Sequence, residues 1–218
     1  MEKLKIMERI ITFLIVRIGI KFDAYKLKKL IDFGFITTEK IISNLKNLIP
    51  FYLDFYEEIV NSEVDLADIS KNDHVLHIGC GSIPATSILL EEKIGPQITG
   101  VDNNLPSINQ ALKLLTMIKL SDKIKILYGD ALNFPIEDYD LIIVSQGIKR
   151  YDRVLENISK SMKKNAKVIF RTSSDINGKL TVNDRFIEKI FSIKGIIPHR
   201  KNGLLITILL QKKLISNF

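Results

Sequence analysis

From residue 70 onward, short apolar runs alternate with longer segments of helical spacing, and this alternation restricts the fold more than any other property of the chain. VLHIG, QITGVD, KIKILYGD, DLIIVSQ and KVIFRTS read as strands. TSILLEEKI, PSINQALKLLTMIKL, RVLENISKSMK and NDRFIEKIFS carry apolar residues every three or four positions and read as helices. Strands joined through helices run in the same direction, which predicts a mostly parallel sheet covered by helices on both faces. GLLITILLQKK closes the chain as a long apolar strand, and FSIKGIIPHR is a candidate partner for it in a hairpin. The expected fold class is α/β, Rossmann-like.

Before residue 70 there is no strand signal. Apolar residues recur at helical spacing at Ile6, Ile10, Phe13 and Leu14, then at Tyr25, Leu27, Leu30 and Ile31. Gly34 is expected to end the second helix, with a fresh N-cap at Thr37 or Thr38. A third helix is expected through Ile41, Leu45 and Leu48 to Pro50, and a fourth through Phe51, Phe55 and Ile59. The chain therefore divides into a helical cap region, residues 1–69, and an α/β domain, residues 70–218. The apolar run Ile10–Ile20 is broken by Arg17 and is shorter than the ~20 residues that span a bilayer. No small-residue cleavage site follows it. It reads as a core or interface helix, with membrane-surface binding as the alternative; no transmembrane segment is expected.

The apolar fraction is 46%, ordinary for a globular protein, and the single cysteine, Cys80, excludes an intrachain disulfide and cysteine-rich zinc sites. That suits a reducing cytoplasm, the expected location. The net charge of +7 permits an anionic partner. Lysines are spread along the whole chain, however, so nucleic acid is not the expected partner. His74, His77 and His199 have no metal-ligand spacing, and no metal is expected.

The first strand runs into the turn HVLHIGCGSIPATSILL, His74–Leu90. In a parallel sheet ligands sit beyond the carboxyl ends of the strands. Gly79 and Gly81 stand at that exit, where glycine lets a ligand approach the backbone. Pro84 marks the start of the next helix, whose N-terminal amides point at the crevice. Pro84 stands where the dinucleotide pattern GxGxxG requires its third glycine, and it removes one amide donor. Both facts argue against a pyrophosphate. The second strand ends at Asp102, about twenty residues on, placed to accept hydrogen bonds from two ribose hydroxyls; Asn103 or Asn104 can then cap the following helix. The third strand ends at Tyr128, Gly129, Asp130 and Ala131, where an aspartate can meet an adenine amino group and Leu132 can flank the ring.

With GCGS, VDNN and GDAL in that order, the chain over residues 70–211 resembles the class I S-adenosylmethionine-dependent methyltransferase superfamily. Within it, GCGSIPATSILL resembles the GxGPxPxTSIxL signature of nicotianamine synthases, with Pro84, Thr86, Ser87 and Ile88 in place and Ser82 for the proline. The helical leader and the aromatic-acidic segment FYLDFYEEI also fit that family. The resemblance implies a class I methyltransferase fold and S-adenosylmethionine as cofactor, held by Gly79, Cys80, Gly81, Asp102, Asn103, Gly129, Asp130, Ala131, Ser145 and Gln146. His77 stands where the superfamily has an acidic residue and reads as a packed strand residue. Tyr56, Glu57 and Glu58, with Tyr52, are the catalytic candidates, a glutamate acting as general base or amine holder. Arg171 is a candidate for holding a substrate carboxylate, and Cys80 reads as a packing residue. The implied activity is transfer to a small molecule, an amino acid or an amine. Methyl transfer is the first expectation and nicotianamine synthase-like aminocarboxypropyl transfer, releasing methylthioadenosine, the second. The third is a non-catalytic nucleic-acid or membrane-associated module. A homodimer is allowed.

Overall fold

The computed structural model describes residues 24–175, 178–199 and 204–213. The apolar run Ile10–Ile20, expected to be a core or interface helix, lies outside them. Seven strands form one sheet: β1 His74–Ile78, β2 Gln97–Asp102, β3 Ile124–Tyr128, β4 Leu141–Val144, β5 Lys167–Ser173, β6 Phe191–Pro198 and β7 Leu205–Lys212. Their order is β3-β2-β1-β4-β5-β7-β6. The first five run parallel, with His77 opposite Gly100 on one side and Ile143 on the other. β7 lies antiparallel to both β5 and β6, so the expected hairpin forms.

Among the described residues, six α-helices accompany the sheet: α1 Ala24–Ser43, α2 Ile49–Ala67, α3 Ala85–Lys93, α4 Leu105–Met117, α5 Tyr151–Ser161 and α6 Asp184–Ile190. Two cores result. One packs Val75, Ile98, Ile143 and Ile169 under α2, α3 and α4. The other packs Leu76, Val144, Val168 and Phe170 under α5 and α6. Alternate residues of each strand feed opposite cores, so the central strands carry apolar residues on both faces.

Two helix boundaries differ from those expected. α1 continues through Gly34 to Ser43. A mid-helix glycine costs only about 1 kcal/mol, and the buried Leu27, Ile31 and Ile42 hold one continuous face against the protein. The real break is the 3-10 turn Lys46–Leu48. Pro50 therefore lies in the first turn of α2 and does not end a third helix; proline is tolerated there because its missing N–H has no helical partner.

A buried ion pair ties α2 to the sheet. Arg171 of β5 donates from Nε to Glu63 Oε1 at 2.8 Å and from Nη2 to Oε2 at 2.6 Å. Thr207 Oγ1 adds a bond to Oε1 at 2.7 Å, and Arg171 Nη1 donates to Thr86 Oγ1 at 2.8 Å. Four elements thus share one fully satisfied polar cluster. Among the described residues no helix is long and apolar enough to cross a membrane.

Candidate active site

The strand order reverses between β1 and β4, so their loops part at the carboxyl edge and open a crevice. On one side of it stands the glycine turn. Gly79 and Gly81 have φ of +75° and +68°, a region glycine enters without steric cost. Gly81 N donates to Asp102 Oδ2 at 3.0 Å, and Asn104 N donates to Oδ1 at 2.9 Å. Asp102 is thereby fixed at the exit of β2 with both oxygens anchored and its carboxylate half-buried. Asn104 caps α4 by accepting from Ser107 N at 3.0 Å. Asn103 is exposed beside Asp102. At the exit of β3, a Cβ on Gly129 would come within 2.8 Å of Phe134, so the backbone there is held close to an apolar ring. Asp130 is exposed and accepts from Leu132 N at 3.0 Å, with Ala131 and Leu132 half-buried next to it.

The other side of the crevice is a pocket roofed by α1 and α2, with about 390 Å³ of space, part of it open to solvent. Glu39, Tyr52, Tyr56, His77, Ser145 and Arg171 line it, and Gly79, Cys80 and Gln146 connect it to the glycine turn. Of the catalytic candidates, the two tyrosines, Tyr52 and Tyr56, reach this pocket. Glu57 and Glu58 are exposed on α2 and do not line it. Glu57 instead pairs with Lys93 of α3 at 2.8 Å. The reason is helical geometry: residues 56, 57 and 58 point about 100° apart, so one of the three faces inward. Arg171 is a buried residue within β5, not a surface cation. The Tyr56 ring lies 5.5 Å from its guanidinium.

The inward-facing acid is Glu39 of α1. Its Oε1 accepts from Ser82 N and from Ile83 N, the latter at 3.2 Å, so the carboxylate holds two amides of the turn that leads into α3. A side chain at position 81 would collide with it. Burial raises its pKa to about 7, against the two amides, which pull it down; the Asp102 carboxylate raises it further. Two tyrosines stand beside it, Tyr52 donating to Tyr56 at 3.4 Å between their hydroxyls. Burial raises the pKa of both.

Asp32, about two turns before Glu39, accepts from Gln146 Nε2, which draws α1 across the exit of β4. Gln146 Oε1 is buried without a partner among the described residues. His77 is buried and bridges Ser87 and Ser145. Cys80 is buried, and its thiol is pushed up by that burial, as a packing residue requires. Sequence reasoning missed Glu39 and Asp32. Their signal was the spacing of Asp32, Ile36 and Glu39, one stripe of a helix that a break at Gly34 had divided. Among the described residues no cluster of His, Cys, Asp or Glu is placed to hold a metal ion.

Comparison with known proteins bears on the family and the fold. Residues 69–206 match the methyltransferase domain family. A demethylmenaquinone methyltransferase of Lactobacillus johnsonii is 29% identical over 117 residues, which is 50% of this chain and 48% of that protein. An L-histidine 2-aminobutanoyltransferase of Pseudomonas aeruginosa is 26% identical over 129 residues, 58% of this chain and 49% of that protein. The chain thus spans about half the length of the curated relatives it matches. Among solved structures, a glutamine-for-glutamate variant of MtNAS in complex with S-adenosylmethionine superposes with a TM-score of 0.75 at 20% identity, covering 87% of this chain and 78% of that one. The chain belongs to the methyltransferase domain family.

Proposed function

We propose that this chain transfers the aminocarboxypropyl arm of S-adenosylmethionine to an amine nitrogen of a small molecule, with Glu39 as the general base. One observation carries the reading: a half-buried carboxylate, desolvated enough to have a pKa near 7, lines a pocket next to the glycine turn. An amine must lose a proton to become a nucleophile, and a base whose pKa lies near working pH is best placed to take it. Both amides bind Oε1, and a side-chain hydrogen bond from Tyr52 also reaches the carboxyl, so the donors around Glu39 favour its ionised, proton-accepting form.

The residues present suit the cofactor. Asp102 is anchored from behind by two backbone amides, and its remaining lone pairs would accept from ribose hydroxyls. The exposed Asp130 suits an exocyclic amine, and Gly129 and Leu132 offer a flat apolar approach for a ring. When bound, S-adenosylmethionine supplies carbons activated by its sulfonium. The chain's own contribution is to orient the acceptor, accept its proton at Glu39 and exclude water under α1 and α2. Likeness to MtNAS and to the L-histidine 2-aminobutanoyltransferase supports this choice of transferred group, as does the turn GCGSIPATSILL.

Methyl transfer is the second reading, favoured by the family match and by the demethylmenaquinone methyltransferases. The by-product separates the two. Protein incubated with S-adenosylmethionine and a mixture of amino acids and polyamines is expected to release methylthioadenosine. Release of S-adenosylhomocysteine would replace the first reading with the second, and release of neither would remove both.

A further inference from the structure

The inner wall of the pocket holds a polar chain that the proton transfer above does not use. His77 Nδ1 lies 2.9 Å from Ser87 Oγ, and Nε2 lies 2.8 Å from Ser145 Oγ. The imidazole is 3% exposed. Burial, with Arg171 nearby, pushes its pKa down to about 3, so it is neutral. A neutral imidazole donates at one nitrogen and accepts at the other. Ser87 is fully buried, and among the described residues its hydroxyl has no side-chain partner besides His77. A buried O–H without an acceptor is costlier than an empty lone pair, so Ser87 donates to Nδ1. Nε2 then carries the ring proton and donates to Ser145 Oγ. The proton of Ser145 is left to point into the pocket.

The next residue supplies the complement. Asp32 can only accept, so Gln146 must turn Nε2 toward it, which leaves Oε1 buried and unpartnered. The exit of β4 thus offers a donor at Ser145 and an acceptor at Gln146. Charge is graded the same way: Arg171 acts on the His77 side, and Asp32, paired with Lys28 at 2.5 Å, lies on the Gln146 side.

We propose that His77 is a positioning residue that turns the Ser145 hydroxyl into a donor, so that Ser145 and Gln146 together receive an α-amino-acid headgroup. The carboxylate meets Ser145 and the ammonium meets Gln146. The cofactor's own tail and an amino-acid acceptor both carry this headgroup, and the inference rests on the transferase reading above.

Calorimetry with S-adenosylhomocysteine and methylthioadenosine tests it, because the two share the adenosyl thioether and only the first has the headgroup. His77→Leu is expected to weaken S-adenosylhomocysteine about tenfold, the loss of roughly one hydrogen bond to a charged group, with methylthioadenosine unchanged. His77→Gln, which keeps an N–H near the Nε2 position, is expected to restore most of that loss. Ser145→Ala is expected to give the same selective loss, with no further loss on adding His77→Leu. If the acceptor's headgroup is the occupant, S-adenosylhomocysteine is unaffected. In that case binding of L-glutamate or L-histidine to protein saturated with methylthioadenosine falls about tenfold in the same variants. Equal weakening of both adenosyl ligands, or no weakening of any probe, overturns the proposal. Wild-type protein that binds neither adenosyl ligand overturns the transferase reading itself.

Discussion

Glu39 is a charge placed where water is scarce, and its environment compensates it only in part. Two amides stabilise the carboxylate, but burial outweighs them and Asp102 adds repulsion. As the general base it must be ionised, so turnover is expected to rise with pH through about 7 and then level off. Glu39→Gln is expected to lower kcat by about 10²–10⁴-fold with little change in cofactor affinity; wild-type kcat in this variant would remove Glu39 from the chemistry. Asp102→Ala separates binding from catalysis. It is expected to weaken S-adenosylmethionine by about 1–3 kcal/mol, the range for polar partners left unmade, and calorimetry reads it directly. Asp102 was legible in the sequence because it ends a strand at a fixed distance from the glycines. Glu39 was not, because TTEK reads equally well as a helix start, and nothing local tells which face of a helix will meet a loop some forty residues away.

Two elements owe their form to contacts the sequence hides. α1 passes through Gly34, where an added Cβ would meet no neighbouring segment within 4 Å. Gly34→Ala is therefore expected to stabilise the protein by about 0.5–1 kcal/mol; a lower midpoint in chemical denaturation would mean that the helix breaks there after all. α2 is held by Glu63 against Arg171, both nearly inaccessible to solvent. Glu63→Gln leaves the guanidinium buried without its counter-charge and is expected to cost about 3–5 kcal/mol. Replacing both partners with apolar residues, Glu63→Leu with Arg171→Met, is expected to cost less than the single change. The strands and their helices were legible because their periods differ, 2 against 3.6. The leader was legible only as helical, since apolar spacing indicates a buried stripe without indicating what buries it.

For the molecule as a whole, two desolvated groups set opposite pH dependences. His77 has its folded pKa depressed from 6.5 to about 3, so the stability of its neutral form is present above 6.5 and lost as pH falls toward 3. Glu39 has its folded pKa raised from 4.5 to about 7, so its contribution is present below 4.5 and lost as pH rises through 7. Glu39→Gln is expected to remove the second dependence, on the order of 1–3 kcal/mol between pH 4.5 and 7. The difference in melting temperature between variant and wild type should therefore grow across that window; a constant difference would place Glu39 in water. The sequence alone determined the parallel sheet, its antiparallel edge and the glycine turn with Asp102 and Asp130 at successive strand ends, because these follow from local periodicity and from where a strand must stop. Only the tertiary structure decided that α1 lies across the exits of β1 and β4, that Glu39 and not Glu57 or Glu58 enters the pocket, and that His77 bridges two serines. Each of those depends on which faces of distant segments meet, and burial on one face is a property of the packed whole that no short stretch of residues encodes.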